Sequence, residues 1–147
     1  MKLVLIVFLC LYVSVSAKAQ IAGQEDEIEQ TVEEITLARD DGEGGAGEEQ
    51  EAFLTSDVPI HCSVLLTSAK PVVVKMNIVF IKAGASKSES KVVTVSFKTN
   101  GKQNRVNFTG SPERTWTAGT YRVDILLDGK LTKSKVFEVT SAMAKKP

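Results

Sequence analysis

Histidine occurs once in these 147 residues, at His61, and cysteine twice, at Cys10 and Cys62. So small a set leaves at least two ligands of any zinc site to be found among carboxylates, and offers no second histidine for catalysis. Aromatic residues make up 6% of the chain, with Trp116 the one tryptophan. That is thin material for the stacking platforms of single-stranded nucleic-acid binders, and no nucleic-acid partner is expected. Apolar runs of membrane-spanning length are also missing. From residue 52 onward no stretch shows the 3.6-residue period of an amphipathic helix.

The N-terminus explains part of this. Met1 and Lys2 precede the 13-residue apolar run LVLIVFLCLYVSV, and Ala17, Lys18 and Ala19 form a small-x-small cleavage site. Together they read as a secretory signal peptide over residues 1–19, with a run too short to span a bilayer. Cleavage leaves 128 residues, enough for one compact domain. The mature chain is therefore expected to be secreted, periplasmic or extracellular, without a transmembrane span. Cys62 would be its sole cysteine, so any disulfide would join two chains.

A formal net charge of zero hides two opposed segments. Residues 20–51 hold 12 acidic residues and one basic residue, Arg39, and lack Phe, Tyr and Trp; residues 52–147 hold 15 basic and six acidic residues. The acidic segment is poor in apolar surface and is expected to be flexible and largely disordered. Within it Ile28, Val32 and Ile35 could form one face of a short helix, or residues 35–39, ITLAR, could add as an edge strand. Gly42, Gly44 and Gly47 satisfy G-x-G-x-x-G, but the surrounding carboxylates would repel a phosphate and no βαβ unit follows, so the glycines read as a turn or linker. The carboxylates of residues 40–49 could attract calcium, although their spacing is not that of a helix-loop-helix calcium loop.

The basic part breaks into short β-branched runs at 52–55, 59–67, 72–81, 91–98, 105–109, 120–128 and 130–139, punctuated by turn residues. Asp128 and Gly129 between two alternating runs give the strongest hairpin signal in the chain. About seven strands in this spacing predict an all-β antiparallel sandwich over residues 52–140, followed by a tail at 141–147. Alternation puts Tyr121, Val123, Ile125 and Leu127 on one face, and Gly119-Thr120-Tyr121 at the entry to that strand is similar to the tyrosine corner of immunoglobulin-like domains. Trp116 just before it suits a lid over one end of the core.

The stretch PIHCSV (59–64) holds the one histidine beside Cys62. Alternation places Ile60, Cys62, Val64 and Leu66 on the core face, and His61 on the opposite one. A Cys–His dyad needs convergent side chains, so Cys62 reads as a buried thiol packing like a small hydrophobe. A thiol-dependent enzyme using Cys62, with Asp57 as a third member, is the alternative. Asn107, Phe108 and Thr109 match a glycosylation sequon.

Three stretches, ARDDGEGGAG (38–47), FLTSDVPIHCSV (53–64) and WTAGTYRVDILLDGKLTKSKVFEV (116–139), resemble a group of small exported bacterial proteins with an immunoglobulin-like domain. That resemblance implies a fold and an exported location, and no activity.

The functional expectation is accordingly a non-catalytic binding or structural module, with no catalytic, metal or cofactor residue assigned. Its partner would be an envelope protein or an anionic glycan or lipid surface. For a polyanion the candidate residues are Lys98, Lys102 and Arg105 around one turn, and Lys130, Lys133 and Lys135 on the last strand, with the acidic segment as an intramolecular mask. The competing role for such lysines is edge protection.

Overall fold

The computed structural model describes residues 29–81 and 88–142. The expected signal peptide, residues 20–28 and most of the C-terminal tail lie outside them. Among the described residues nine strands form two packed sheets: β1 (Val32–Asp40), β2 (Ala46–Glu49), β3 (Ala52–Leu54), β4 (Ile60–Leu66), β5 (Val73–Ile81), β6 (Glu89–Lys98), β7 (Arg105–Gly110), β8 (Gly119–Leu127) and β9 (Lys130–Thr140). One sheet runs β2-β1-β4-β7 and the other β3-β9-β8-β5-β6. Every pairing is antiparallel except β3 with β9, which is parallel.

Alternation does what the sequence implies. Ile60, Cys62, Val64 and Leu66 of β4 meet Val74, Met76 and Ile78 of β5 and Val123, Ile125 and Leu127 of β8 in one hydrophobic core. The β8–β9 connection pairs Leu127 with Lys130, leaving a two-residue loop. Both loop residues have positive φ, 48° at Asp128 and 86° at Gly129, as a type I′ turn requires.

One end of the core is closed by aromatics. The Tyr121 hydroxyl donates to the Thr117 carbonyl at 2.9 Å and accepts from the Thr117 amide at 3.1 Å, which makes it a tyrosine corner. Trp116 packs edge-on against Tyr121, with ring centroids 5.5 Å apart, and its Nε1 donates to the Asp57 carbonyl at 2.8 Å. At 2% exposure Trp116 is a lid and offers no face to a ligand.

The acidic stretch corrects the sequence reading. Composition puts residues 20–51 among disordered segments, yet residues 32–40 form β1, between β2 and β4, and residues 46–49 form β2. The sandwich therefore begins at Val32 and not at residue 52. Val32, Ile35 and Leu37 are core residues, with Leu37 fully buried. The physical reason is that three apolar side chains bury in a core otherwise supplied by residues 60 onward and by Phe53, which an average over the segment cannot register. Of the two alternatives for Ile35, the strand holds: Ile35 pairs with Val64 and Leu37 with Cys62.

Candidate functional site

The β1–β2 hairpin is built by the glycines and carboxylates that looked like a loose linker. Asp40 Oδ1 accepts from the Gly42 amide at 2.8 Å, while Asp41 Oδ1 accepts from the amides of Glu43 and Gly45 at 2.8 and 2.9 Å. Gly42 and Gly44 take φ of 87° and 89°, which only glycine adopts without strain. The Asp41 amide donates to the Gly45 carbonyl, closing the turn. These main-chain donors from Glu43 and Gly45 hold the Asp41 carboxyl below the usual carboxylate range.

His61 lies beside this hairpin, on the outer face of the four-stranded sheet, in register with Ala38 of β1 and Thr109 of β7. Its Nε2 is 2.8 Å from Asp40 Oδ2. A carboxylate can only accept, so Nε2 carries a proton toward Asp40. The bond to His61, with the Gly42 amide second, lowers the Asp40 carboxyl below its ordinary value. Thr109 Oγ1 sits 3.5 Å from Nδ1. The three side chains link the hairpin to β4 and β7.

Cys62 points the other way, into the core, at 1% exposure, and burial pushes its thiol up to about 12. It is thus a poor nucleophile. Asp57, the third member of the thiol-enzyme alternative, accepts from the Leu54 amide at 2.7 Å and lies 3.3 Å from Arg39. The structure does not bring it to His61. Among the described residues no group of three His, Cys, Asp or Glu side chains is placed to hold a metal ion.

Around His61 the outer face forms a cleft of about 430 Å³. Its floor is Thr36 and Ala38 of β1, Ser63 of β4, and Asn107 and Thr109 of β7; its wall is residues 44–47 and Glu49 of the hairpin. Sequence reasoning found His61 and missed Asp40 and the cleft. The missing signal was the pairing of residues 35–39 with 60–64.

The candidate basic residues divide into two groups. Lys98 ends β6, Arg105 opens β7, Lys102 lies in the loop between them, and Lys130 opens β9, so these four share the end of the sandwich that also holds the β4–β5 loop with Lys70. Arg105 donates to Ser63 Oγ at 3.0 Å, and Lys130 pairs with Glu29 at 2.8 Å. Both partners of the second pair are about three-quarters exposed, where a pair contributes little stability. Lys133 and Lys135 instead lie along β1, donating to the carbonyls of Glu33 and Ile35.

A second polar cluster decorates the outer face of the five-stranded sheet. Arg122 binds Glu89 through two bonds of 2.7 and 3.0 Å and Asp124 through two of 2.6 and 3.0 Å, and Ser134 Oγ donates to Asp124. Burial alone would raise the Asp124 carboxyl, but Arg122 and Ser134 outweigh it and lower it. The cluster is internally satisfied and ties β6, β8 and β9 together.

Two sheets, a tyrosine corner and a core built on β4, β5 and β8 define an immunoglobulin-like β-sandwich. Among solved structures the chain is similar to an immunoglobulin-like protein of Pseudomonas aeruginosa, at 10% identity and a TM-score of 0.50, over 76% of this chain and 97% of that one. It is also similar, at 16% identity and a TM-score of 0.48, to an alkylpurine DNA glycosylase of Pseudomonas fluorescens bound to DNA containing an abasic site analogue. That match spans 76% of this chain and only 30% of the glycosylase. No protein-family model and no curated protein sequence matches the chain.

Proposed function

We propose that the protein is a secreted, non-catalytic binding module that engages a polyanionic surface through one end of its sandwich. The observation that carries this reading is the gathering of Lys70, Lys98, Lys102, Arg105 and Lys130 at that end by five separate strand termini and loops. Two carboxylates close by are already engaged: Asp128 accepts from the Val73 amide, and Glu29 pairs with Lys130. Val73, Phe97 and Leu131 are exposed among these cations at 36%, 45% and 56%, so the end combines charge with apolar contact. Such a surface suits phosphate or sulfate groups on a lipid or glycan.

The acidic stretch takes a different part from that of a detachable mask. Residues 32–40 are fixed in the sheet, and charge compensation runs through Lys130 with Glu29 and Lys135 with Glu51. For the described residues the mask reading is replaced by internal neutralisation.

Co-sedimentation with vesicles of phosphatidylglycerol and phosphatidylcholine, beside retention on a sulfated polysaccharide resin, tests the reading and separates its two sources. Binding should fall as salt rises, and the triple variant Lys98→Ala, Lys102→Ala, Arg105→Ala should lose most of it. Retention on neither matrix at low salt would sink the proposal.

A further inference from the structure

The wall of the cleft beside His61 is a strand with a free edge. Among the described residues β2 is outermost in its sheet and pairs with β1 on one side. In a flat sheet β2 and β7 would lie about 14 Å apart, three strand spacings. Yet the same cleft is lined by residues 44–47 and by Asn107 and Thr109 of β7, so the hairpin curls over the outer face. Residues 44–47 are Gly-Gly-Ala-Gly and carry one methyl group between them, so this part of the wall is largely main chain. Ala38 beneath it is small and leaves room for another backbone to approach, while Ser63 is covered by the Arg105 guanidinium.

We propose that this cleft binds an extended, lysine- or arginine-containing peptide segment of a partner protein, added as a strand along the free edge of β2. Main-chain hydrogen bonds to the edge would supply the affinity, and the floor would read alternate side chains. β2 has room for about four residues, or about 13 Å of extended chain. Charge selects the class of peptide. Glu49 lines the cleft, and Asp41, Glu43 and Glu48 belong to the same hairpin, so a cationic segment meets favourable potential and an acidic one is repelled. His61, held by Asp40 through Nε2, presents Nδ1 beside Thr109 at the cleft floor.

Fluorescence anisotropy on the full chain tests this with a labelled hexapeptide of alternating alanine and lysine. Three comparisons accompany it: the same peptide N-methylated at alternate main-chain amides, an alanine–glutamate counterpart, and maltose as a neutral competitor. The lysine peptide should bind, N-methylation should weaken it about tenfold or more, and the glutamate peptide and maltose should have no effect at the cleft. Thr109→Trp, which fills the cleft from an exposed position, should weaken binding about tenfold, and Glu49→Lys several-fold. Should Thr109→Trp disturb folding, Glu49→Lys and the N-methylated peptide still decide the matter. Equal binding of the methylated peptide would reduce the effect to charge attraction and overturn strand addition. Failure of the lysine peptide to bind, or its displacement by maltose, would overturn the proposal as well.

Discussion

Lys135 Nζ donates to the Ile35 carbonyl at 3.2 Å, so that a lysine of the last strand closes the edge of the first, 100 residues upstream. Lys133 does the same for the carbonyl of Glu33, and the Gln50 amide meets that of Leu37 at 2.9 Å. Residues 33, 35 and 37 present their carbonyls on one side of β1, since alternate residues of a strand do so. The row facing away from β4 is thus sealed by two ammonium groups and an amide. An unsealed row of this kind is a template for pairing with another chain.

Removing the seal should therefore cost solubility before it costs fold. In Lys133→Ala, Lys135→Ala the core of Val32, Ile35 and Leu37 is untouched, so the thermal midpoint should fall by only a few degrees. Association, followed by analytical ultracentrifugation against concentration, should rise. A variant that stays as monomeric as the parent would show that the lysines do not guard this edge.

A chain beginning at Ala52 should fail to fold. It lacks β1, exposing one edge of β4 and one side of Cys62, Val64 and Leu66, all of which are at most 1% exposed in the sandwich. The point-mutation version is Leu37→Ala, expected to cost about 2–5 kcal/mol through lost burial and the cavity left behind. Urea unfolding measures it, and a loss under about 0.5 kcal/mol, the level of a surface substitution, would mean that residue 37 is not in the core.

Seven strands were legible because each carries its own evidence: alternation in β4 and β8, Asp128 and Gly129 at one turn, Gly119 and Tyr121 at another. β1 was legible only as one of two alternatives, an edge strand at 35–39, because Ile35 and Leu37 sit among carboxylates and the lysines that meet this strand come from β9. Local composition carries no record of a partner a hundred residues away. The candidate site shows the same division. His61 could be placed on the outer face from alternation, whereas its bond to Asp40 depends on the β1–β4 register and on the curl of a hairpin. The lysines were correctly singled out as a class, but Lys133 and Lys135 proved to serve β1 while Lys98, Lys102 and Arg105 share one end of the sandwich.

Acid should loosen the hairpin first. The Asp40 carboxyl is held below its ordinary value by His61 and the Gly42 amide, and that of Asp41 by the amides of Glu43 and Gly45. A depressed folded-state value contributes stability that is present above the unfolded value, near pH 4, and is lost as pH falls through the folded one. Amide hydrogen exchange of residues 42–49 should therefore accelerate below about pH 4 relative to β8. Asp40→Asn should show faster exchange already at neutral pH. Uniform protection of the hairpin and β8 at pH 3 would contradict the assignment.

Cys62 makes the opposite prediction at the alkaline end. Its folded thiol is pushed up to about 12 by burial, against about 8.5–9 when the chain is unfolded. A raised value stabilises the fold fully below the unfolded one and loses that contribution as pH climbs from about 9 toward 12. Cys62→Ala removes the titrating group, so its stability curve should descend less steeply across that window than the parent's, although it starts lower because a small buried side chain is lost. Thiol labelling gives the direct reading. A disulfide reagent should modify Cys62 of the folded protein many times more slowly than Cys62 of the urea-unfolded chain. Rapid native labelling would place Cys62 at the surface and reopen the thiol chemistry that its position on the core face of β4 excludes.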